Sequence, residues 1–411
     1  MAAPGVNELA RYAGSLDHRL RQLERAPWPS AVAEVESVAS SAIYGYFVNA
    51  ANDAWSVGRW SGRSWHNIGD GPTGIDYFVA LFKYLGDRFY IVDGADRSLY
   101  RSADAITWEL AHDATTGGPV DSLDVDASGN LWAIIRAIPG DARQISKSTD
   151  YGSTWEVKET LDISGDGTMT SVRIACHPAN ALVIAVTGSR AETGTLGIGI
   201  PGTIQKASIL ISTDGDTFTQ TTPIPDLPGS DINDPGQLGD MGTWDNASAD
   251  ALVFTSSGRL VVTLLLFHLV ATGAPSTETR QFVVGYSDDN GANFTWEVLL
   301  EDGDETSNLT SAFHFAKGGL HLVANYYNGS FNEGLLWASS DGSGWAPITP
   351  PDTRAIEGIY EQQGVLWAMP YTDGGAASKA YRRVGSTWVD SSAAQPQIYP
   401  AGYLSITGTT V

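Results

Sequence analysis

Acidic and aromatic side chains crowd into a few turn-rich stretches of this chain. The largest spans residues 225–246 and holds Asp226, Asp231, Asp234, Asp240, Trp244 and Asp245. Asp162 and Asp166 form a smaller group, residues 301–305 another, and Tyr326, Tyr371 and Asp373 stand where strand-like runs give way to turns. Three chemistries are open to such residues. Flat aromatic rings stack under the apolar faces of sugars while carboxylates accept sugar hydroxyls, which makes Trp244, Asp234, Asp245, Tyr326, Tyr371 and Asp373 candidate carbohydrate ligands. Two carboxylates about 5–9 Å apart could cleave a glycosidic bond. Asp166, Asp234, Asp245 and Asp373 are available for that, but no residue is singled out as catalytic. Hard oxygen donors at alternating positions could also hold Ca2+, although neither smaller cluster has the full hand-type loop. The seven histidines are scattered and form no metal-binding pattern; His268 and His321 sit in apolar strand patterns.

The elements that must present these side chains are strands. The chain has 411 residues, too many for one ordinary compact core unless the architecture is closed or repetitive. Its 45 glycines, 13 tryptophans and 16 tyrosines suit many short strands joined by tight turns. The 47 acidic residues against 24 basic ones leave a formal charge of −23, a field that would repel a phosphate backbone and argues against a nucleic-acid partner. No apolar run is long enough to read as a signal peptide or a membrane span. A single cysteine, Cys176, excludes an internal disulfide and reads as a small core residue.

One turn recurs along the chain. Its intact form is Ser148-Thr-Asp150-Tyr-Gly152-Ser-Thr154-Trp155. Related copies are Ser102 and Asp104 with Trp108, Ser212 and Asp214 with Phe218, Ser287, Asp289 and Gly291 with Phe294, and Ser339 and Asp341 with Trp345. Two eroded copies stand at Trp60–Trp65 and Arg382–Trp388. The carboxylate suits acceptance from turn amides, the glycine a positive φ, and the aromatic an apolar layer between repeats. The acid of each copy therefore reads as structural. Strand-turn grammar is plain around two copies. Residues 120–125, 131–137, 144–148 and 155–157 make one four-stranded unit, and 355–360, 365–370, 379–383 and 387–389 another. Seven such units predict an all-β, seven-bladed propeller over 27–411, preceded by a short N-terminal helix in 1–26. Residues 399–409 remain as a further strand, free to close the ring or to pair with the N-terminal region.

These turns resemble the Asp-box, or bacterial-neuraminidase repeat. That motif marks sialidases, several endoglucanase propellers, photosystem assembly propellers and assorted binding propellers, so the resemblance implies a fold more than an activity. A sialidase site would bring three arginines, a tyrosine paired with a glutamate, an aspartate acid and an early Arg-Ile-Pro-type segment. This chain has no such segment, because Arg59 and Arg63 belong to a repeat turn. Arg136, Arg173 and Arg354 lie within or beside strands and could supply a carboxylate clamp.

In a four-stranded meander the repeat turn joins strands three and four. The turns between strands two and three, and the crossings between blades, then lie on the opposite face. Long inserts at 190–204, 225–246 and 270–279 are expected to build a raised rim there. Residues 7–25 carry Leu9, Ala13, Leu16, Leu20 and Leu23 at heptad spacing, a pattern suited either to a helix docked on its own domain or to a coiled-coil stem or attachment segment and a homo-oligomer. Together these features resemble a phage tail or receptor-binding protein that recognises cell-surface carbohydrate. Its N-terminal helix would join other virion proteins, with location in a virion or outside the cell. The alternatives are a glycoside hydrolase with a carboxylate pair on the long-loop face, and a cytoplasmic scaffold propeller.

Overall fold

Runs such as residues 131–135 and 260–266 are apolar on both sides of an extended chain, so a sheet built from them needs cover on both faces. The molecule meets that need by stacking sheets face to face around a ring. The computed structural model describes residues 42–48, 55–60, 65–73, 75, 79–140, 142–161, 169–195, 201–221, 246–270, 277–302, 309–316, 319–327, 332–351, 356–362, 364–370, 380–391 and 399–406. The predicted helix in 1–26 lies outside them. The one helix among them is a single turn, α1 (Ala114–Gly117), capped by Asp113.

Seven four-stranded antiparallel sheets make seven blades. Blade two is β4 (Val79–Leu85), β5 (Arg88–Asp93), β6 (Leu99–Ser102) and β7 (Glu109–His112), and blade three is β8 (Val120–Val125), β9 (Leu131–Arg136), β10 (Arg143–Ser148) and β11 (Glu156–Leu161). Blade four is β12 (Met169–Cys176), β13 (Ile184–Thr195), β14 (Pro201–Ser212) and β15 (Thr219–Gln220). Blade five is β16 (Asn246–Phe254), β17 (Leu260–Val270), β18 (Thr277–Ser287) and β19 (Thr295–Asp302). Blade six is β20 (Thr310–Ala316), β21 (Gly319–Tyr327), β22 (Asn332–Ser339) and β23 (Ala346–Pro347), and blade seven is β24 (Ile356–Gln362), β25 (Val365–Pro370), β26 (Tyr381–Val384) and β27 (Thr387–Asp390).

Blade one is assembled from both ends of the described chain. Its strands β1 (Ala42–Val48), β2 (Trp55–Trp60) and β3 (Trp65–Asp70) pair in sequence, and β28 (Tyr399–Ile406) adds to the free edge of β1 from Ala42↔Ile406 to Val48↔Tyr399. The two uses open to residues 399–409 are thus one and the same. The innermost strands β4, β8, β12, β16, β20, β24 and β28 contact one another in turn around the axis.

Seven apolar clusters fill the seven interfaces. Between blades three and four lie Trp132, Ile134, Ile145, Ile174, Ile184 and Val186, with Cys176 buried at the edge. Trp60, Ile43, Tyr360, Trp367 and Met369 seal blade seven against blade one. The Trp60 and Trp367 rings meet edge to face at 5.4 Å, and Gln362 donates to the Trp60 carbonyl.

The repeat turns sit between the third and fourth strands of their blades and lean on the preceding blade. Asp150 accepts from the Thr154 amide at 2.8 Å and from the Thr154 hydroxyl at 2.7 Å. Asp104, Asp214, Asp289 and Asp341 accept likewise from amides of their own turns. The serine hydroxyl that opens each turn accepts from the amide of Gly152, Gly215, Gly291 or Gly342. Gly291 and Gly342 have φ of 83° and 91°, and a Cβ on either would lie 2.7 Å from Ile211 or Val261 of the preceding blade. Only glycine meets both demands. Trp155 packs against the cluster between blades two and three, and Trp345 is buried between blades five and six. Charged side chains complete the contact: Arg101 of blade two donates to the Asp150 and Tyr151 carbonyls, and Arg259 of blade five to the Asp341 carboxylate.

Bonds from the Asn293 side chain and amide hold the Asp289 carboxyl down, at about 2. Its contribution to stability is therefore present above the ordinary carboxylate range and lost as pH falls through about 2. Asp289→Ala is expected to lower stability by about 1 kcal/mol at neutral pH, with the gap from the parent closing in strong acid. Urea unfolding across that pH range checks it.

Candidate functional site

The face opposite the repeat turns carries the hairpins between second and third strands, and two of these are long. In blade four β13 and β14 pair continuously from Ile184↔Ser212 to Thr195↔Pro201. In blade five β17 and β18 pair from Leu260↔Ser287 to Val270↔Thr277. Blade three manages only Arg143↔Arg136 to Ser148↔Leu131. This corrects the expectation of long loops at 190–204 and 270–279, where regular ladder continues on both sides of the short connections at 196–200 and 271–276. The reason is hydrogen bonding: extending the ladder satisfies backbone groups that a loop would leave to water. The third insert, 225–246, lies outside the described residues except for Asn246, which begins β16.

The axis side of this face is shaped by a feature that strand periodicity does not announce. Six of the seven innermost strands carry a β-bulge at the same level: β4 between Val79 and Leu81, β8 between Val120 and Ser122, β12 between Thr170 and Arg173, β16 between Ala249 and Leu252, and β24 between Ile356 and Gly358. The sixth is in β28 opposite Tyr46 and Phe47. A bulge re-aims a side chain at the cost of one ladder position. In blades three, five and seven the bulged stretch contains an acid: Asp121, Asp250 and Glu357. A sequence signal exists for it, namely apolar–acid–small–apolar in Val120-Asp-Ser-Leu123, Ala249-Asp-Ala-Leu252 and Ile356-Glu-Gly-Ile359. Reading for two-residue alternation passes over it.

The bulged acids have different partners. Asp121 is gripped by two guanidinium groups, Arg136 at 2.9 Å and Arg143 at 3.1 Å, which close the top of blade three. Asp250 accepts from the Ser311 amide of blade six and faces Arg173 of blade four at 3.8 Å. Its side chain is 19% exposed and that of Arg173 43%. Burial pushes the Asp250 carboxyl up, against the pull of Arg173 and the Ser311 amide. Deeper along the axis Asp124 accepts from the Cys176 amide, and burial raises it too, against the pull of the nearby Lys83 ammonium. Arg136 and Arg173 thus serve two separate carboxylates and do not form a joint clamp; Arg354 lies outside the described residues.

Of the sequence candidates, Trp244, Asp234, Asp245, Tyr371 and Asp373 lie outside the described residues. The backbone of Tyr326 pairs with Glu333 near the end of the blade-six hairpin, on the face of the long hairpins. The acidic groups 162–166 and 303–305, considered for Ca2+, are also outside. Among the described residues no three His, Cys, Asp or Glu side chains gather as metal ligands, and no helix is long and apolar enough to cross a membrane.

Fold and site together define a seven-bladed β-propeller with a bulged, partly acidic mouth. No family model matches the chain, and no curated protein matches it. Among solved structures it is similar to YCF48 bound to a D1 peptide, at 14% identity over 77% of this chain and 82% of that one, with a TM-score of 0.43. A PL25 ulvan lyase gives 11% identity over 88% and 90% of the two chains, TM-score 0.43. The GH93 α-L-arabinofuranosidase of Fusarium graminearum with arabinobiose gives 15% over 68% and 81%, TM-score 0.38. The fold rests on the strand pairing itself, and likenesses at this level carry no activity across.

Removing the carboxylate from the blade-three mouth should be costly, because it leaves two cations facing each other. Asp121→Ala is expected to destabilise by about 2 kcal/mol, and added salt should restore part of the loss. Urea midpoints at low and high ionic strength test both statements.

Proposed function

We propose that this propeller acts on an extended carbohydrate laid across the face of the long hairpins, and that its chemistry is glycoside cleavage. The observation that carries the reading is Asp250. It is an acid re-aimed by a bulge beside the axis, mostly buried, with a carboxyl held above its usual range and an arginine within reach. A carboxyl whose affinity for its proton is raised by burial is better suited than an ordinary one to donate to a leaving glycosidic oxygen. The partner carboxylate would come from the acidic crossing that enters β16, which ends in Trp244-Asp245 immediately before Asn246. In that crossing, Trp244 offers a stacking platform and Asp234 and Asp245 offer oxygens. Tyr326, Tyr371 and Asp373 would extend the surface over blades six and seven. Ca2+ held by the acidic crossings would stiffen them.

A second reading is favoured by the heptad pattern of residues 7–25. In it the chain is a non-catalytic receptor-binding propeller in a phage tail, outside the cell, anchored to other virion proteins through that helix. Homo-oligomerisation would multiply weak glycan sites.

One purified sample separates these readings. Full-length protein is incubated with a panel of surface polysaccharides, and both retention and newly formed reducing ends are measured. Cleavage is expected, falling at least about a hundredfold in Asp250→Asn while retention is kept. Retention without any cleavage by the parent would replace the hydrolase with the receptor-binding reading, and neither retention nor cleavage would remove both.

A further inference from the structure

Two histidines face each other across blade six and play no part in the mouth. His314 of β20 and His321 of β21 are directly paired in the antiparallel ladder, so their side chains leave the sheet on the same side. That side is the interface with blade seven. The His314 ring meets the Tyr360 ring of β24 edge to face at 5.5 Å, and Arg383 of β26 acts on His321. Room for the His314 ring exists because β24 has Gly358 there: a Cβ would collide with the Tyr360 hydroxyl and lie 2.6 Å from His314 Cε1.

One ring nitrogen of each histidine is unprovided for. His314 Nε2 and His321 Nδ1 are both buried without a hydrogen-bond partner. Their surroundings are apolar, since Ala316, Val323 and Leu336 of blade six pack against Ile356, Ile359, Leu366, Ala368 and Tyr381 of blade seven. The groups that face the rings from the neighbouring strands are a phenol and a guanidinium, and no carboxylate among the described residues acts on either ring. Among the described residues no counter-charge meets a proton taken up here. A second one adds repulsion between paired rings, with Arg383 beside them.

We propose that the His314–His321 pair is an acid-release latch, which opens the seam between blades six and seven ahead of the rest of the ring when the rings are protonated. Burial holds each ring down, at about 4 against an ordinary value of 6.5. The stability the neutral pair contributes is therefore complete above 6.5 and drains away as pH falls towards about 4. The location makes the loss local and then consequential. Blade seven is also the support for closure, because β24 touches both β28 and β1. Opening this seam leaves blade seven, on which the closing strand leans, held only by blade one. Mild acid would thus convert a closed ring into one parted at blades six and seven, a change a surface-acting or internalised protein could use.

Hydrogen exchange on the full chain, followed by mass spectrometry at about pH 7.5 and about pH 5 and corrected for intrinsic rates, tests the latch. Peptides covering β20–β21 and β24–β26 are expected to lose about tenfold or more in protection on acidification, while those of blade three hold theirs. His314→Phe/His321→Leu should abolish that selective loss. Should the double variant fail to fold, His321→Gln keeps one ring and should leave a smaller loss at the same seam. Equal loss in all blades, or an undiminished selective loss in the variants, would overturn the proposal.

Discussion

Everything in this molecule depends on the contact between neighbouring sheets. A blade of four strands has two apolar faces and cannot be stable alone, since each face needs the next blade to keep it from water. The cluster of Ile134, Ile145, Ile174 and Val186 belongs to neither blade three nor blade four but to the seam. The same holds at each of the seven seams, including the one between the last blade and the first. Stability is therefore shared out as nearest-neighbour terms, as in repeat arrays, with the difference that a ring has no cap.

The two faces divide the work. On one, the repeat turns fasten each blade to the one before it: a serine and an aspartate saturate the turn from within, and an arginine or lysine from the neighbour binds it from outside. Arg101, Lys158 and Arg259 do this at three seams. On the other face the innermost strands bulge, and the hairpins of blades four and five rise above the rest. Regular bonding on one side leaves the other free to vary, the usual relation of a scaffold to its binding loops.

Strand positions in blades three and seven, the number of blades and the place of the repeat turn could be read from residue types, because each has a short-range cause. A turn that needs glycine, serine and aspartate at fixed offsets writes itself into the sequence. Three features could not be read this way. The hairpin at 184–212 resembles a loop because Gly188, Gly194 and Gly202 interrupt its alternation, and only cross-strand pairing reveals it. The bulges break two-residue periodicity at one position, which a pattern count takes for noise. The candidate ligand residues border turn-rich stretches, whereas the acids whose geometry is defined, Asp121 and Asp250, sit inside strands.

The pairing of β28 with β1 also has a bearing on how the chain is made. The partner of Ala42 is Ile406, so every strand of the other six blades is synthesised before the first blade acquires its inner strand. Until then β1 presents an open edge of unpaired amides and carbonyls, the kind of edge on which another chain can add. The nascent protein is a growing fan of blades, each new one covering the last, with one exposed border that persists until β28 emerges. Strand β28 changes the class of object from a strip to a closed loop, and synthesis that stops short of it leaves a sticky strip.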